Sequence, residues 1–280
     1  AEGVSAYPAD VTRQMVLNFL AGGAAINVLA RQAGAKLHVI DVGVAGDFPG
    51  HASLISRKVA RGTRNFTREP AMTRDEAVRA VEAGIASFQP CQLAAIGEMG
   101  IGNSTSAAAL VSAAIGCEPA DAVGGGTGVD AAGRMRKIGA IERALALHRP
   151  DAGDGLSLLS AVGGFEIGAM AGAILAAAAA RVPAVVDGFI SAAAALVAVR
   201  ICPAVRDYLI GAHVSTEPGH PLALAELDLR PLLQLEMRLG EGTGAVLAFH
   251  LIDAACRIAR DMATFDEARV SQAAAARGPA

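Results

Sequence analysis

Two acidic residues stand in glycine-rich stretches where a side chain could do chemistry. The first is Glu241, in Met237–Phe249 (MRLGEGTGAVLAF), where Gly240, Gly242 and Gly244 flank it in a tight acidic turn. Glycine admits positive φ and lets a ligand approach the main chain closely. A carboxylate held there can act as a general base. It can equally complement the N-terminus of the helix that follows, where the dipole favours acids. The second is Glu98, which opens Glu98-Met99-Gly100-Ile101-Gly102-Asn103-Ser104-Thr105. A glycine loop with Gly102, Asn103 and Ser104 running into a helix suits a phosphate, because free backbone N–H groups and the dipole converge on it. Gly124-Gly125-Gly126-Thr127-Gly128 is another such loop, ahead of Arg134, Arg136 and Lys137. Lys137 could reach a phosphate or ribose there, or simply face solvent. Neither loop is GxGxxG or a Walker A sequence, so both named nucleotide fingerprints are absent.

These loops need rigid elements to carry them. Leu37–Val42, Gln92–Gly97, Ala184–Val186 and Tyr208–Ala212 are short apolar runs that read as buried parallel strands. Between them lie helical stretches: Val11 to Phe19, Ala24–Gln32, a helix from the capping box Thr73-Arg74-Asp75-Glu76 to Phe88, Ser106–Ile115, Ala131–Leu147, Leu156–Val162, Glu166–Ala180 and Ser191–Arg200. After Tyr208–Ala212 come His213 and Ser215. Strands alternating with helices imply an α/β fold, a Rossmann-like doubly wound and mainly parallel sheet flanked by helices. Such sheets bind ligands outside the carboxyl ends of their strands. Asp41, Glu98, Asp187 and His213 all fall at such ends and are expected to meet in one cleft. Residues 45–72 read as irregular. Their Arg57, Lys58, Arg61, Arg64 and Arg68 form either a solvated basic loop or one that reaches an anion or a partner subunit.

Composition narrows the function classes. The chain has 280 residues, 53% of them hydrophobic, with 32 glycines and no Trp, so Ala, Gly, Val and Leu must build a closely packed core. A formal charge of −3 gives no electrostatic footprint for nucleic acid or an anionic membrane. Cys91, Cys117, Cys202 and Cys256 are far apart, which argues for buried, reduced thiols in a cytoplasmic protein and against a metal site. The apolar stretch 167–180 is too short to span a membrane, and 182–199 is interrupted by Pro183 and Asp187.

With IGEMGIGNST and RLGEGTGA both present, the chain resembles the nicotinate-nucleotide–dimethylbenzimidazole phosphoribosyltransferase family. GVSAYP, FLAGGAAINVLARQAGA, VIDVGV, VGGFEIGAMAGAI, VVDGFISAAAALVA and PAVRDYLI…AHVSTEPGH carry the resemblance in order, to about Arg260. It implies transfer of 5-phosphoribose from nicotinate mononucleotide to 5,6-dimethylbenzimidazole, with inversion at C1′, giving α-ribazole 5′-phosphate. It implies that Glu241 is the general base and that Glu98 faces it across the base pocket. Gly100, Lys137 and Ser215 match nucleotide-binding positions; Tyr7 and Met15 match positions lining the benzimidazole pocket. The scheme calls for no metal and no cofactor, and the resemblance implies a homodimer. One expected base leaves a tension: a helix N-terminus lowers the pKa of Glu241, whereas an apolar pocket raises it.

The resemblance also brings departures. Relatives commonly carry Arg where Gly125 stands, and they have a segment before the equivalent of Gly3 that supplies a strand and part of a small helical domain. The expectation is therefore one α/β domain over 1–260, an incomplete helical subdomain drawn from parts of 1–30 and 240–270, an exposed sheet edge, and a disordered tail over 271–280. A catalytically inactive nucleotide-binding relative or a non-functional fragment is the alternative reading; a Rossmann-type dehydrogenase is disfavoured by the missing GxGxxG.

Overall fold

The structure, a computed structural model, describes residues 2–48, 50–126 and 128–271; of the expected tail, 272–280 lie outside the described residues. Helices α1 (Val11–Ala21) and α2 (Ala25–Gln32) come first, α1 closing at Gly22 in the left-handed region. Strand β1 (Val39–Asp41) pairs in parallel with β2 (Leu54–Ser56). Helix α3 (Arg74–Ser87) starts at its capping box: the Glu76 N–H donates to Thr73 Oγ1 and the Thr73 N–H to the Glu76 carboxylate. Then follow β3 (Ala94–Ile96), α4 (Asn103–Ile115), the short α5 (Pro119–Ala122), α6 (Ala131–His148), α7 (Gly155–Val162), α8 (Phe165–Ala179) and β4 (Ala184–Val186). The last part holds α9 (Phe189–Ile201), β5 (Leu209–Gly211), β6 (His213–Ser215), α10 (Gly219–Leu227), β7 (Leu233–Met237) and α11 (Thr243–Asp261).

Every ladder is parallel, and the central order is β3-β4-β5. The chain passes from β5 through Ala212 into β6, which pairs with β7. Ala212 joins the ladders: its N–H donates to Val186 O (2.9 Å) and its carbonyl accepts from Leu233 (2.9 Å). Alternation along β4 separates the two faces of this layer. Ala184 and Val186 pack with residues of α8 and α9, whereas Val185 packs with Ala245 and Ala248 of α11. The parallel α/β class is as expected, but as short ladders rather than one long sheet.

Glycine explains the tightest packing. A Cβ on Gly84 of α3 would overlap the Ala169 carbonyl of α8, and one on Gly172 would overlap the Val81 carbonyl. The two backbones therefore touch directly, which the small-residue composition foreshadows.

Several expectations need correction. Residues 45–72 contain β2, and Lys58, Arg61 and Arg64 there are taken up by the protein's own acids: Lys58 bonds Asp41 (3.0 Å), Arg61 bonds Asp47 (2.8 Å) and Arg64 bonds Glu76. Lys58 is thereby held by a buried acid, whereas the Arg61–Asp47 pair is exposed to solvent. His213 and Ser215 lie just past β5, as expected, but form a further short strand, β6. The cysteines are free but not buried, since Cys91 and Cys256 are exposed. Among the described residues no helix is long and apolar enough to cross a membrane.

Candidate active site

A cavity of about 1240 Å³ opens along the carboxyl end of β3, and the outer edges of β1 and β3 both border it. Ile26 of α2, Val246 and Phe249 of α11 and Phe19 of α1 give it an apolar wall; Glu2, Glu98, Glu166 and Glu241 give it four carboxyls.

Glu241 occupies a strained turn. Its φ is 64°, between Gly240 at 79° and Gly242 at 83°, so three successive residues are left-handed. A non-glycine residue there costs free energy and persists only where surrounding contacts hold it. Those contacts are visible. Asp187, at the end of β4, accepts the N–H of Gly242 (3.1 Å) and of Ala245 (2.9 Å). Thr243 Oγ1 donates to Gly240 O (2.7 Å). On the other side Gly97 lies flat against the Gly242 backbone, where any side chain would collide. The Glu241 carboxylate accepts the Ile26 N–H (3.3 Å) in the first turn of α2, not of its own helix. Burial raises the Glu241 carboxyl above its ordinary value, and the Ile26 bond opposes this without cancelling it. The tension between dipole and apolar pocket thus resolves towards the pocket.

Glu98 follows β3 and reaches the same turn: a Cβ on Gly240 would lie 3.1 Å from Glu98 Oε1. Its carboxyl is pushed up to about 8, first by burial, then by the charges of Glu166, Asp187 and Glu241, against a hydrogen bond from Asn103. Burial and these like charges favour its protonated form. Glu166 in the first turn of α8 is raised too, chiefly by burial.

A second cluster sits on the far side of the first turn of α4. Lys137 Nζ donates to Ser104 Oγ (3.0 Å), and a Cβ on Gly126 would meet both, at 2.6 and 2.8 Å. The Gly126 N–H donates to Glu217 Oε1 (2.8 Å). Lys137 is only 3% exposed, and burial lowers its pKa while Glu217 opposes the shift. Ser215 Oγ accepts the Glu217 N–H (3.3 Å), and the Ser215 N–H donates to His220 Nδ1 (2.9 Å). Successive residues of one helical turn therefore serve both clusters: Asn103 faces Glu98 and Ser104 faces Lys137.

The expected site residues separate into groups. Glu98, Gly100, Gly102, Asn103, Glu241 and Gly242 line the cavity. Ser104, Gly126, Lys137 and Ser215 gather in the second cluster; Ser215 there organises the turn before α10. Asp187 stands behind the Glu241 loop, with its oxygens occupied by backbone N–H groups and His213 Nε2 at 3.7 Å. This placement makes it an anchor of the loop and not a wall of the cavity. His213 joins it there, while Asp41 accepts the Gly43 and Val44 N–H groups and pairs with Lys58, and does not itself line the cavity. Met15 packs behind Ile26 and Val246. Tyr7 is 50% exposed, because residues 2–10 run over the surface before α1 begins. Sequence reasoning missed Glu166 and Glu217; an acid early in a helix or turn carries no signal of its own, and only the fold aims these two inward.

The model of the phosphoribosyltransferase family matches residues 1–270. The nicotinate-nucleotide–dimethylbenzimidazole phosphoribosyltransferase of Roseiflexus sp. (strain RS-1) is 59% identical over 274 residues, 96% of this chain and 78% of that one. Its counterpart in Chloroflexus aggregans is 57% identical over 276 residues, 97% and 78% respectively. The crystal structure of CobT from Thermus thermophilus shares the fold with a TM-score of 0.93 at 51% identity, covering 97% of this chain and 83% of that one.

Proposed function

The chain belongs to the nicotinate-nucleotide–dimethylbenzimidazole phosphoribosyltransferase family, a family of pentosyltransferases, and from that premise we propose a reaction with assigned roles. The 5-phosphoribosyl group leaves nicotinate and joins a ring nitrogen of 5,6-dimethylbenzimidazole, giving α-ribazole 5′-phosphate. Glu241 is the general base. The nicotinate ring is a cationic pyridinium while attached to C1′, so it departs without a proton. The attacking benzimidazole gains positive charge and must lose its N–H proton, which one carboxylate can accept. The same carboxylate stabilises positive charge developing at C1′. The observation that carries this reading is the placement of Glu241: fixed in a left-handed turn, on an apolar wall, with burial raising its carboxyl. A base working near neutral pH needs that upward shift.

The second cluster is assigned to the nucleotide. Lys137 and Ser104, beside the N-terminus of α4 and the Gly126 backbone, offer a cation, a hydroxyl and N–H groups suited to a 5′-phosphate. Gly100, Gly102 and Asn103, which line the cavity next to Ser104 in sequence, are assigned to the ribose side of the nucleotide. The apolar wall of Phe19, Ile26, Val246 and Phe249 suits a methylated aromatic base. Leu251, Ile258 and Met262 leave an exposed apolar stretch on α11 and the turn after it, which supports a homodimer.

The test is turnover. The purified protein is incubated with nicotinate mononucleotide and dimethylbenzimidazole, and products are separated by chromatography. The proposal expects α-ribazole phosphate and nicotinate in equal amounts, and none when NAD replaces the mononucleotide. Tight binding of the mononucleotide without any product would favour an inactive relative instead.

A further inference from the structure

Glu166 is a half-buried acid in the cavity to which the proposed reaction gives no task. It is the second residue of α8, where an acid complements the helix dipole. Its carboxyl accepts its own backbone N–H, as a capping acid does, but it also lines the cavity and accepts a hydrogen bond from the Asn103 side chain, which capping does not require. The same Asn103 amide donates to Glu98 Oε2. Two glycines make room for this arrangement. A Cβ on Gly164 would lie 2.5 and 2.7 Å from the Glu166 oxygens. One on Gly100 would lie 3.0 Å from Asn103 Nδ2 and 3.4 Å from Glu166 Oε1. The three side chains thus form one chain, Glu166–Asn103–Glu98, running from the start of α8 to the Glu241 turn.

We propose that Glu166 is a positioning residue of this site: through the Asn103 amide it fixes Glu98 beside the Glu241 turn, so that Glu98 faces the ligand as a hydrogen-bond donor. The inference rests on the reaction proposed above. An amide has two N–H donors, and one for each carboxyl leaves neither side chain free to rotate. The charged groups facing Glu98 are all acids: Glu166 from α8, Asp187 from the end of β4 and Glu241 from the turn before α11. Like charges crowded into a buried corner favour the protonated form of one of them. The crowding therefore favours Glu98 as the proton-bearing carboxyl beside the carboxylates of Glu166 and Glu241. A protonated Glu98 can donate to an anionic ring substituent such as the carboxylate of nicotinate; an ionised one would repel it.

The test reads Glu98 directly and does not require turnover. The side-chain carboxyls are labelled with 13C at the glutamate δ position, Glu98 is assigned from its loss in Glu98→Gln, and its titration is followed by NMR. Glu166→Gln keeps the shape and the Asn103 contact while removing the charge, so the Glu98 midpoint should fall. Asn103→Ala removes a donor to the ionised form, so the midpoint should rise. The basic limb of kcat/KM for nicotinate mononucleotide should follow in the same directions, so that kcat/KM at pH 8 falls in Glu166→Gln as Glu98 ionises, by up to about 10-fold for each unit its midpoint drops. Should Asn103→Ala not fold, Glu166→Gln decides alone. An unchanged Glu98 titration in Glu166→Gln, or an ordinary one in the wild type, would overturn the inference. Shifted titrations without turnover in any form would leave the cluster standing and refute the reaction.

Discussion

Asp187 holds the Glu241 turn from behind, and Asp187→Asn tests how much the site depends on that grip. The two carboxylate oxygens have separate duties, Oδ2 accepting the Gly242 N–H at 3.1 Å and Oδ1 the Ala245 N–H at 2.9 Å. An amide of the same size offers one oxygen and one NH2. Whichever way it turns, one backbone N–H loses its acceptor and meets another donor. An orphaned buried donor costs about 1–3 kcal/mol. For a chain of this size that lowers Tm by roughly 2–10 °C. If the amide oxygen stays with Ala245, the loss falls on Gly242, next to the base. A shift of about 1 Å in Glu241 would then reduce kcat about 100-fold, while KM for the mononucleotide changes little because Lys137 and Ser104 are anchored elsewhere. Thermal unfolding followed by circular dichroism, with initial rates from chromatography, measures both. Wild-type Tm and wild-type kcat in Asp187→Asn would refute the assignment of Asp187 as an anchor.

Gly84→Ala pushes a methyl group into the Ala169 carbonyl, where α3 and α8 touch backbone to backbone, and should cost about 1–3 kcal/mol or more by overpacking, read from urea unfolding. Glu76 is pulled down to about 2, first by the Arg64 hydrogen bond and next by the Thr73 N–H. Because its folded value lies below the ordinary 4.5, its stabilisation is complete above pH 4.5 and fades as the pH falls towards 2. Glu76→Gln should therefore lower stability at pH 7 and make little difference near pH 2, in a series of unfolding curves across that range. Lys137→Gln removes a buried cation from the proposed phosphate corner and should raise KM for the mononucleotide roughly 10- to 100-fold, the worth of a charged hydrogen bond, with kcat nearly kept.

Much of the framework was legible because its signals are local. Thr73 and Glu76 announce their capping box three residues apart, and the apolar runs around Ala94, Ala184 and Leu209 mark buried parallel strands. Leu54–Ser56 and Leu233–Met237 escaped notice: one has only Leu54 and Ile55 as apolar residues before Ser56-Arg57-Lys58, and the other, LQLEM, mixes exposed polar residues into an edge. The glutamate turn could be read as special from its glycines, but not its surroundings. The partner of Glu241 is the Ile26 N–H, 215 residues earlier in the chain, and that separation hides which helix N-terminus the carboxylate meets. Asp187 could be placed at a strand end, yet whether it faced a ligand or a loop depended on α11 packing over β4. Glu166 was invisible for the same reason, since only the fold brings α4 and α8 together at Asn103.

The most direct measurement compares wild type with Glu241→Gln in the formation of α-ribazole phosphate. Glutamine keeps the size of the side chain and an oxygen for the Ile26 N–H, but it cannot take a proton. The account predicts a kcat lower by about 10²–10⁴-fold, the worth of a general base, with binding of nicotinate mononucleotide preserved in equilibrium titration. Equal turnover by the two proteins would contradict it and remove Glu241 from the centre of the reaction.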